Sequence, residues 1–366
     1  MKKYYLSHWL PTYAKNIIKS LLLPRKRKGT THIMFSFVDH YELNGTEPRL
    51  DQWKEHYPEI CSRHRDCANN PPKHTWFYAL DLLREDELPI LQEWVKNGFG
   101  EVELHLHHHF DTAEGLQKKL EDGMPIFQKY GFMRPIEKDK LACYGFIHGN
   151  WSLDNSGGDK VCGVDNEIEI LMKTGCYADF TFPALFSVAQ PHMLNSIYYA
   201  NNDKEAKCYD TGRIAQVGVR AHENEFMIFQ GPLTINWMDW RFKWHPAFED
   251  GDINRSASHS NHKRIDAWIR QGISVKGCES WVFVKVFCHG AQDYKSVLGK
   301  ATDDMLTYLE TKYNDGEKYK LHYVSARESY NIVKAAEDGK KGDPEEYRDY
   351  IIPHPLKRAD RNSSNQ

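Results

Sequence analysis

Histidines are concentrated in one short stretch of the sequence, where residues 105–109 read HLHHH. The preceding segment, GEVEL at 100–104, alternates apolar and polar residues, which predicts a strand that leads directly into the histidines. His105 and His109 fall on one face whether the segment is extended or helical, so both can reach one metal ion. The alternative is a surface histidine run that binds nothing, and the apolar strand before it argues against that.

A carboxylate ends another strand-like run. In THIMFSFVDH at 31–40 the apolar residues stop at Asp39, which shares a strand face with Phe35 and Phe37. Two imidazoles and one carboxylate, with a coordination position left for water, form a common ligand set for catalytic zinc. The sequence therefore predicts a divalent metal, zinc first, on Asp39, His105 and His109. Cobalt, manganese and nickel stay open, because metal availability also decides occupancy.

A third run, WVFVKVFCHG at 281–290, places Lys285 and His289 on one face and valines on the other. In α/β barrels the catalytic groups lie at the carboxyl ends of the strands. We therefore expect His289 to face the same site as the metal ligands. Lys285, on the same face, is a candidate for binding substrate.

Short apolar runs alternate with helical patterns along the chain, which favours βα units around a mostly parallel sheet. The predicted strands are 31–39, 74–80, 100–107, 141–148, 176–182, 225–230, 281–289 and 320–325. The predicted helices are 51–66, 84–97, 113–130, 163–174, 261–271, 295–313 and 326–338. The segments 186–224 and 237–260 are predicted to be elaborated loops over one end of the sheet.

The overall composition bears on which classes of partner the protein could bind. A net charge of −3 and a pI near 6.7 give no support for nucleic acid as a partner. The eight cysteines form no CxxC pair, so we expect reduced thiols in a cytoplasmic protein.

Residues 1–29 form a basic segment in which His8, Pro11, Lys15 and Lys19 interrupt the apolar run. This pattern does not fit a secretory signal peptide, and no stretch reaches the ~20 apolar residues of a membrane span. We expect residues 1–28 either to pack as a helix on the catalytic domain or to contact the inner membrane peripherally. Residues 30–340 are predicted to form that domain, and 341–366 a polar tail.

Several of these segments resemble the polysaccharide deacetylases of the NodB-homology type. SFVDH at 36–40 resembles the family's first motif, Thr-Phe-Asp-Asp, and places Asp39 at the metal position. HLHHH resembles the second motif, His-(Ser/Thr)-x-x-His, and the strand ending in His289 resembles the motif that supplies the general acid. PKHTWFYAL at 72–80 and YKLHYVSARESYNIVKA at 319–335 are similar to the second strand and the closing strand and helix of a branch associated with surface-polysaccharide loci.

The resemblance implies an α/β fold, a distorted (β/α) barrel with elaborated loops spanning residues 30–340. It implies a metal-dependent hydrolase that cleaves a C–N bond to remove an acetyl-like group. The expected substrate is an amino sugar or polysaccharide precursor used in surface-glycan biosynthesis.

Two departures from the family pattern concern proton transfer. The family's catalytic base falls on Val38, which cannot accept a proton. The Arg-Pro-Pro-Tyr motif is missing, and the chain instead reads ACYGFIHGNWSLDNS at 142–156. Because a base is still needed, we consider Glu42, Glu103 and His148. The replacement segment also offers Asn150 and Trp151 for binding substrate.

Three other functions stay open at this stage. A non-catalytic homologue that binds metal and glycan would explain Val38. A glycosidase on a related barrel is possible because fold alone does not fix the reaction. An amidohydrolase-like enzyme would use HLHHH as its His-x-His pair, although that family usually places the pair on the first strand.

Overall fold

The computed structural model describes residues 5–22, 29–43, 49–136, 139–239, 246–254 and 258–356, with backbone alone at 19–22 and 49. The helices are α1 (Leu6–Leu22), α2 (Arg49–Arg63), α3 (Leu88–Lys96), α4 (Ala113–Lys129), α5 (Glu167–Thr174), α6 (His262–Gln271), α7 (Tyr294–Val297), α8 (Lys300–Tyr313) and α9 (Ala326–Glu337). The strands are β1 (Thr31–Tyr41), β2 (His74–Ala79), β3 (Gly100–Leu106), β4 (Tyr144–His148), β5 (Cys176–Asp179), β6 (Ile197–Asn201), β7 (Arg213–Ile214), β8 (Glu225–Phe229), β9 (Thr234–Asn236), β10 (Ala247–Glu249), β11 (Asp252–Ile253), β12 (Trp281–Cys288) and β13 (Tyr319–Tyr323).

The central sheet follows the order β11–β12–β1–β2–β3–β4–β5–β8–β6–β7, and β13 also pairs with β1. Every pair from β11 to β8 is parallel, whereas β6 pairs antiparallel with both β8 and β7. The prediction of a mixed α/β fold with a mostly parallel sheet is therefore confirmed. A distorted (β/α) barrel of the deacetylase type stays a prediction.

The two faces of the sheet bury different sets of side chains. On the outer face, residues such as Leu104 pack with side chains of the surrounding helices, Trp53 of α2 among them. The inner face holds a second apolar cluster that includes Met34, Val38 and Phe77. All parallel strands point the same way, so their carboxyl ends meet at one end of the sheet, which we call the mouth.

The sheet curls enough for distant strands to touch. In the strand order, four strands separate β12 from β5. Even so, the buried ammonium of Lys285 on β12 donates to the carbonyl oxygens of Phe180 and Phe182, just after β5.

The segment near the C-terminus packs against the rest of the fold. The predicted tail begins at residue 341, but residues 343–352 pack into the fold. Arg348 is buried and forms ion pairs with Asp66 and Glu328, and Ile352 is also buried. The tail boundary was therefore wrong, because an arginine that pairs with buried carboxylates looks like solvated tail in sequence. Residues 357–366 lie outside the described residues.

At the other end, α1 packs as a helix. Trp9 and Tyr13 are buried against Leu185, Leu194 and Leu233. The basic block at 25–28 lies outside the described residues, and contact with a membrane stays a prediction. None of the helices in the described ranges is both long and apolar enough to cross a membrane.

Candidate metal centre

The predicted ligand set of Asp39, His105 and His109 is not assembled. Asp39 lies in register with Trp76, and Trp76 with Val102, so Asp39 shares the outer face with them. Its Oδ2 accepts a hydrogen bond from His74 Nε2 at 2.8 Å, and its Oδ1 accepts the Gly290 N–H at 2.6 Å. Asp39 is fully buried there. The strand was correctly predicted, but its inward face was assigned to the wrong set of residues.

His109 is also misplaced by the sequence interpretation. Strand β3 ends at Leu106, and the chain leaves the sheet before residue 109. The alternation that relates His105 to His109 in an extended strand therefore no longer applies. His109 is exposed to solvent, whereas His105 is fully buried at the end of β3.

A different set of side chains converges at the mouth. We call His40, Glu42, His105, His107 and His289 the mouth cluster. Glu42 lies at its centre, with Oε1 at 3.1 Å from His105 Nε2 and 3.4 Å from His107 Nε2. The His40 ring centroid lies 5.1 Å from that of His105 and 4.7 Å from that of His289. Donor atoms of two overlapping triads, which share Glu42, lie close enough to hold a metal ion.

The protons of His105 show why a cation fits here. Its Nδ1 lies 2.8 Å from the carbonyl oxygen of Ile147, which only accepts, so Nδ1 must donate. Burial, the largest influence, lowers the pKa of His105 below its ordinary value even though Glu42 opposes the shift. In the neutral ring Nε2 therefore carries a lone pair, and it faces another acceptor, the Glu42 carboxylate. A metal ion between them would satisfy both.

A second carboxylate lies behind His107. Asp81 accepts the His107 backbone N–H at 3.0 Å and lies 3.1 Å from its Nδ1. Burial alone would lower the pKa of His107, but the hydrogen bonds with Asp81 and Glu42 outweigh it and raise the pKa to about 9. Burial likewise opposes ionisation of Glu42, yet His105 and His107 hold its pKa well below the usual range. A carboxylate that orients a histidine in this way is common around metal ligands.

His40 completes the case for a cation. It is almost fully buried, and its Nε2 has no hydrogen-bond partner among the described residues. Burial first, and then the neighbouring His289 and His105, lower the pKa of His40 well below its ordinary value. A neutral buried imidazole with a free ring nitrogen is suited to bind a metal or to accept a proton. The half-buried Trp151 ring lies beside it, 6.1 Å away between centroids.

Other candidate residues divide between this site and elsewhere. Glu42 and His289 belong to the mouth cluster, and Trp151 lies 6.2 Å from His289 between ring centroids. Asn150 is exposed next to Trp151. Lys285 is not available to substrate, because it is 1% exposed and bonded to two carbonyl groups inside the sheet.

Two predicted bases lie away from the mouth cluster. Glu103 is buried deeper in the sheet, where Tyr177 and the Gly145 N–H donate to it. His148 turns to the opposite side and contacts His108 instead. Its assignment as a base for the mouth chemistry was therefore wrong: His148 shares its strand face with Phe146, which belongs to the outer core.

His40, Asp81 and His107 were not among the site residues predicted from the sequence. A signal for His40 exists, because the polar side of β3 includes Glu103, whose row in the sheet contains Phe77 and His40. To identify that row, one must know the register of β1, β2 and β3 relative to one another. Asp81 follows β2 in a turn, and nothing in the local sequence relates it to His107.

Comparison of the chain with models of protein families and with curated proteins finds no match.

Proposed function

We propose that this protein is a metal-dependent hydrolase that removes an acetyl-like group from an amino sugar or a polysaccharide precursor. The observation that carries the proposal is the convergence of four histidines from three strand ends on the Glu42 carboxylate at the mouth. The distorted deacetylase-type barrel and the acylated sugar rest on the resemblance of the sequence motifs.

Glu42, His105 and His107 are the residues that would hold a divalent ion, zinc first. The lone pair of His105 Nε2 and the ionised Glu42 face each other, which favours a cation between them. The ion would displace the Nε2 proton that the raised pKa gives His107. Ile147 and Asp81 fix the two rings from behind. When bound, such an ion supplies Lewis-acid chemistry: it lowers the pKa of a water to about 7 and polarises a carbonyl.

The two remaining residues of the mouth cluster, His40 and His289, transfer the protons. Glu42 is fully engaged, because Oε1 contacts the two histidines and Oε2 accepts from Gln292 Nε2 at 2.7 Å. His40, held neutral by burial, takes the proton of the attacking water at Nε2. His289, which is less buried than His40, protonates the leaving amine.

Trp151 gives the site a feature suited to a sugar. Its half-buried indole lies next to both proton-transfer histidines. An aromatic face can stack on the apolar face of a pyranose ring. Stacking there would hold the acylated nitrogen of the sugar near His289, from which it receives its proton.

The test is release of acetate from N-acetylated amino sugars by the zinc-loaded protein. We expect turnover, and we expect His105→Ala to abolish it together with one equivalent of bound metal. His109→Ala is the matched control from the same histidine run and should keep both, because His109 is exposed. Equal loss of activity in the two variants would contradict the assignment of the ligands.

Val38 favours a second candidate, a homologue that binds metal and glycan without turnover. Its side chain is buried in the inner apolar cluster, at the position where the resembled family has its base. Metal bound by wild type but not by His105→Ala, with no turnover on a broad panel of acylated sugars, would support this candidate over the hydrolase.

A further inference from the structure

A second group of potential metal ligands lies outside the mouth cluster. His108, His148, Cys162 and Glu167, which we call the buried cluster, come from the end of β3, the end of β4, the following loop and the first turn of α5. His108 Nε2 lies 3.0 Å from His148 Nε2, 3.1 Å from Glu167 Oε1 and 4.0 Å from Cys162 Sγ. Glu167 Oε2 lies 3.5 Å from His148 Nε2 and 3.7 Å from Cys162 Sγ.

These separations match the edges of a zinc tetrahedron. With zinc–nitrogen bonds of about 2.0–2.1 Å and a zinc–sulfur bond of about 2.3 Å, neighbouring donors lie about 3.3–3.6 Å apart. The five separations, which use Glu167 Oε1 towards His108 and Oε2 towards His148 and Cys162, run from 3.0 to 4.0 Å around that range. Side chains that merely pack together have no reason to point four donor atoms at one centre.

The His148 ring proton points away from that centre. His148 Nδ1 donates to the carbonyl oxygen of Gly149. His108 Nδ1 lies 3.3 Å from Asp111 Oδ2 and has no hydrogen-bond partner among the described residues. His148 therefore presents Nε2 to His108 Nε2 and to the Glu167 carboxylate. Glu167 Oε2 also accepts the Asp154 N–H at 2.6 Å. A cation among these donor atoms would satisfy the lone pairs that stay buried there.

Burial and charge indicate what kind of ion fits. His148, Cys162 and Glu167 are fully buried, and His108 is 2% exposed. A thiolate and a carboxylate together carry two negative charges, which a divalent ion neutralises. Sulfur as a donor selects zinc over magnesium or calcium, which prefer oxygen. Four protein ligands leave no position for water, and such closed sites are structural.

We propose that the buried cluster is a structural zinc site, with His108, His148, Cys162 and Glu167 as its four ligands. This assignment is independent of the proposed hydrolase activity. Cys162, which the sequence suggests is an ordinary reduced thiol, thereby becomes a ligand. All eight cysteines are free in the structure, so no disulfide competes for it.

The site would fasten the loop that carries Trp151. This loop, residues 149–161, lies between the ligands His148 and Cys162. Asn150, Trp151, Asp154 and Asn155 all have positive φ, which asparagine and aspartate tolerate and which is strained for tryptophan. The loop also packs tightly on the mouth, since a Cβ at Gly149 would clash with the His107 ring. The zinc therefore holds Trp151 in place beside the mouth cluster.

X-ray absorption at the zinc edge of the full-length protein tests the assignment. We expect one sulfur at about 2.3 Å together with nitrogen or oxygen donors at about 2.0–2.2 Å. Since no cysteine belongs to the mouth cluster, a sulfur signal excludes that site as its source, and Cys162→Ser then distinguishes the buried cluster from Cys288, which lies with Asp39 and His74 in another group of potential ligands. Bound zinc with no sulfur neighbour would overturn the proposal and leave the mouth site standing.

Cobalt substitution with two cysteine variants provides the matched control. The cobalt protein should show a sulfur-to-cobalt charge-transfer band, and Cys162→Ser should remove that band and one metal equivalent. Cys176→Ser, at another buried cysteine, should keep both. If Cys162→Ser does not fold, the wild-type protein and Cys288→Ser decide: a charge-transfer band that Cys288→Ser keeps supports the site, and its absence from the wild-type protein overturns it. A band and metal content unchanged in folded Cys162→Ser would overturn it as well.

Discussion

The mouth cluster and the buried cluster are built from the same kinds of side chain but face different surroundings. His107 of the mouth cluster and His108 of the buried cluster are adjacent in the chain just after β3, and their side chains point to opposite sides. The mouth cluster includes the half-buried His107, Glu42 and His289, and it reaches solvent. The buried cluster has four ligands that are at most 2% exposed, one of which is sulfur. The first is open to a substrate, and the second is closed.

The open site is suited to catalysis, and the closed site is suited to stabilising the fold. An open site keeps a coordination position for water, and its metal is needed for turnover. A closed site contributes its binding free energy to folding, since its ligands come together only in the native state. Removal of metal from the two clusters should therefore have different consequences.

The largest expected effect is on activity, from Glu42→Gln in the mouth cluster. The loss of the central carboxylate removes the charge that both His105 and His107 face. Turnover on the best acylated sugar should fall about 10³-fold or more, because metal-assisted polarisation is worth several kcal/mol. The melting temperature should stay within a few degrees of wild type. If Glu42→Gln lost its fold along with its activity, the claim that the mouth cluster serves catalysis and not stability would be contradicted.

Metal removal should give the next largest effect, this time on stability. A chelator is expected to abolish activity first, while the protein stays folded, and to remove the buried metal more slowly. Loss of the second metal should lower the melting temperature by about 5–15 °C, since a structural site stabilises by several kcal/mol. Calorimetry with parallel metal analysis follows both events. One metal, released in one step with no change in melting temperature, would leave the buried cluster without a structural role.

Asp81 and Asp111 offer a matched pair of smaller changes, because each lies behind one of the two adjacent histidines. Asp81→Asn should weaken metal binding at the mouth by about 10–100-fold, a usual cost of losing a carboxylate behind a ligating histidine. Asp111→Asn should weaken the buried site instead and leave substrate turnover near wild type. Competition with a metal indicator measures both affinities. Effects on the same metal equivalent would show that the two clusters are not separate.

The smallest expected effect concerns the loop that joins the clusters. Trp151→Ala should raise KM about tenfold with little change in kcat, since aromatic stacking is worth about 0.5–1.5 kcal/mol. Trp237→Ala, at another exposed loop tryptophan, is the control and should keep KM unchanged. A folded Cys162→Ser protein should reproduce part of the Trp151 effect. An unchanged KM in Trp151→Ala would remove the tryptophan from the substrate site.

The eight strands predicted from periodicity all appear, because a parallel sheet requires apolar runs that are visible locally. The alternation of polar and apolar residues also predicted β3 correctly as the strand that leads into His105. In β1 both faces carry large apolar residues, Phe35 and Phe37 on one and Met34 and Val38 on the other, so alternation could not tell whether Asp39 or His40 points inward. That choice depends on the register with β2 and β3, which only the fold supplies.

The remaining site residues depend on chain turns after the strands. His109 was a reasonable partner for His105 only if the strand continued past Leu106. Glu42 was proposed as a base from its position after β1, but its contact with two histidines required the structure. The ligands of the buried cluster are spread along the chain, from His108 just after β3 to Glu167 at the start of α5. Their spacing resembles no metal motif in the sequence.

Anomalous diffraction at the zinc edge, from crystals of the zinc-loaded protein, tests the central claim most directly. We expect a peak bounded by Glu42, His105 Nε2 and His107 Nε2 at the mouth, resolved from the one expected at the buried cluster. A mouth without a peak in zinc-saturated crystals, or a peak that is instead bound by Asp39, would contradict the assignment of the mouth cluster as the metal centre.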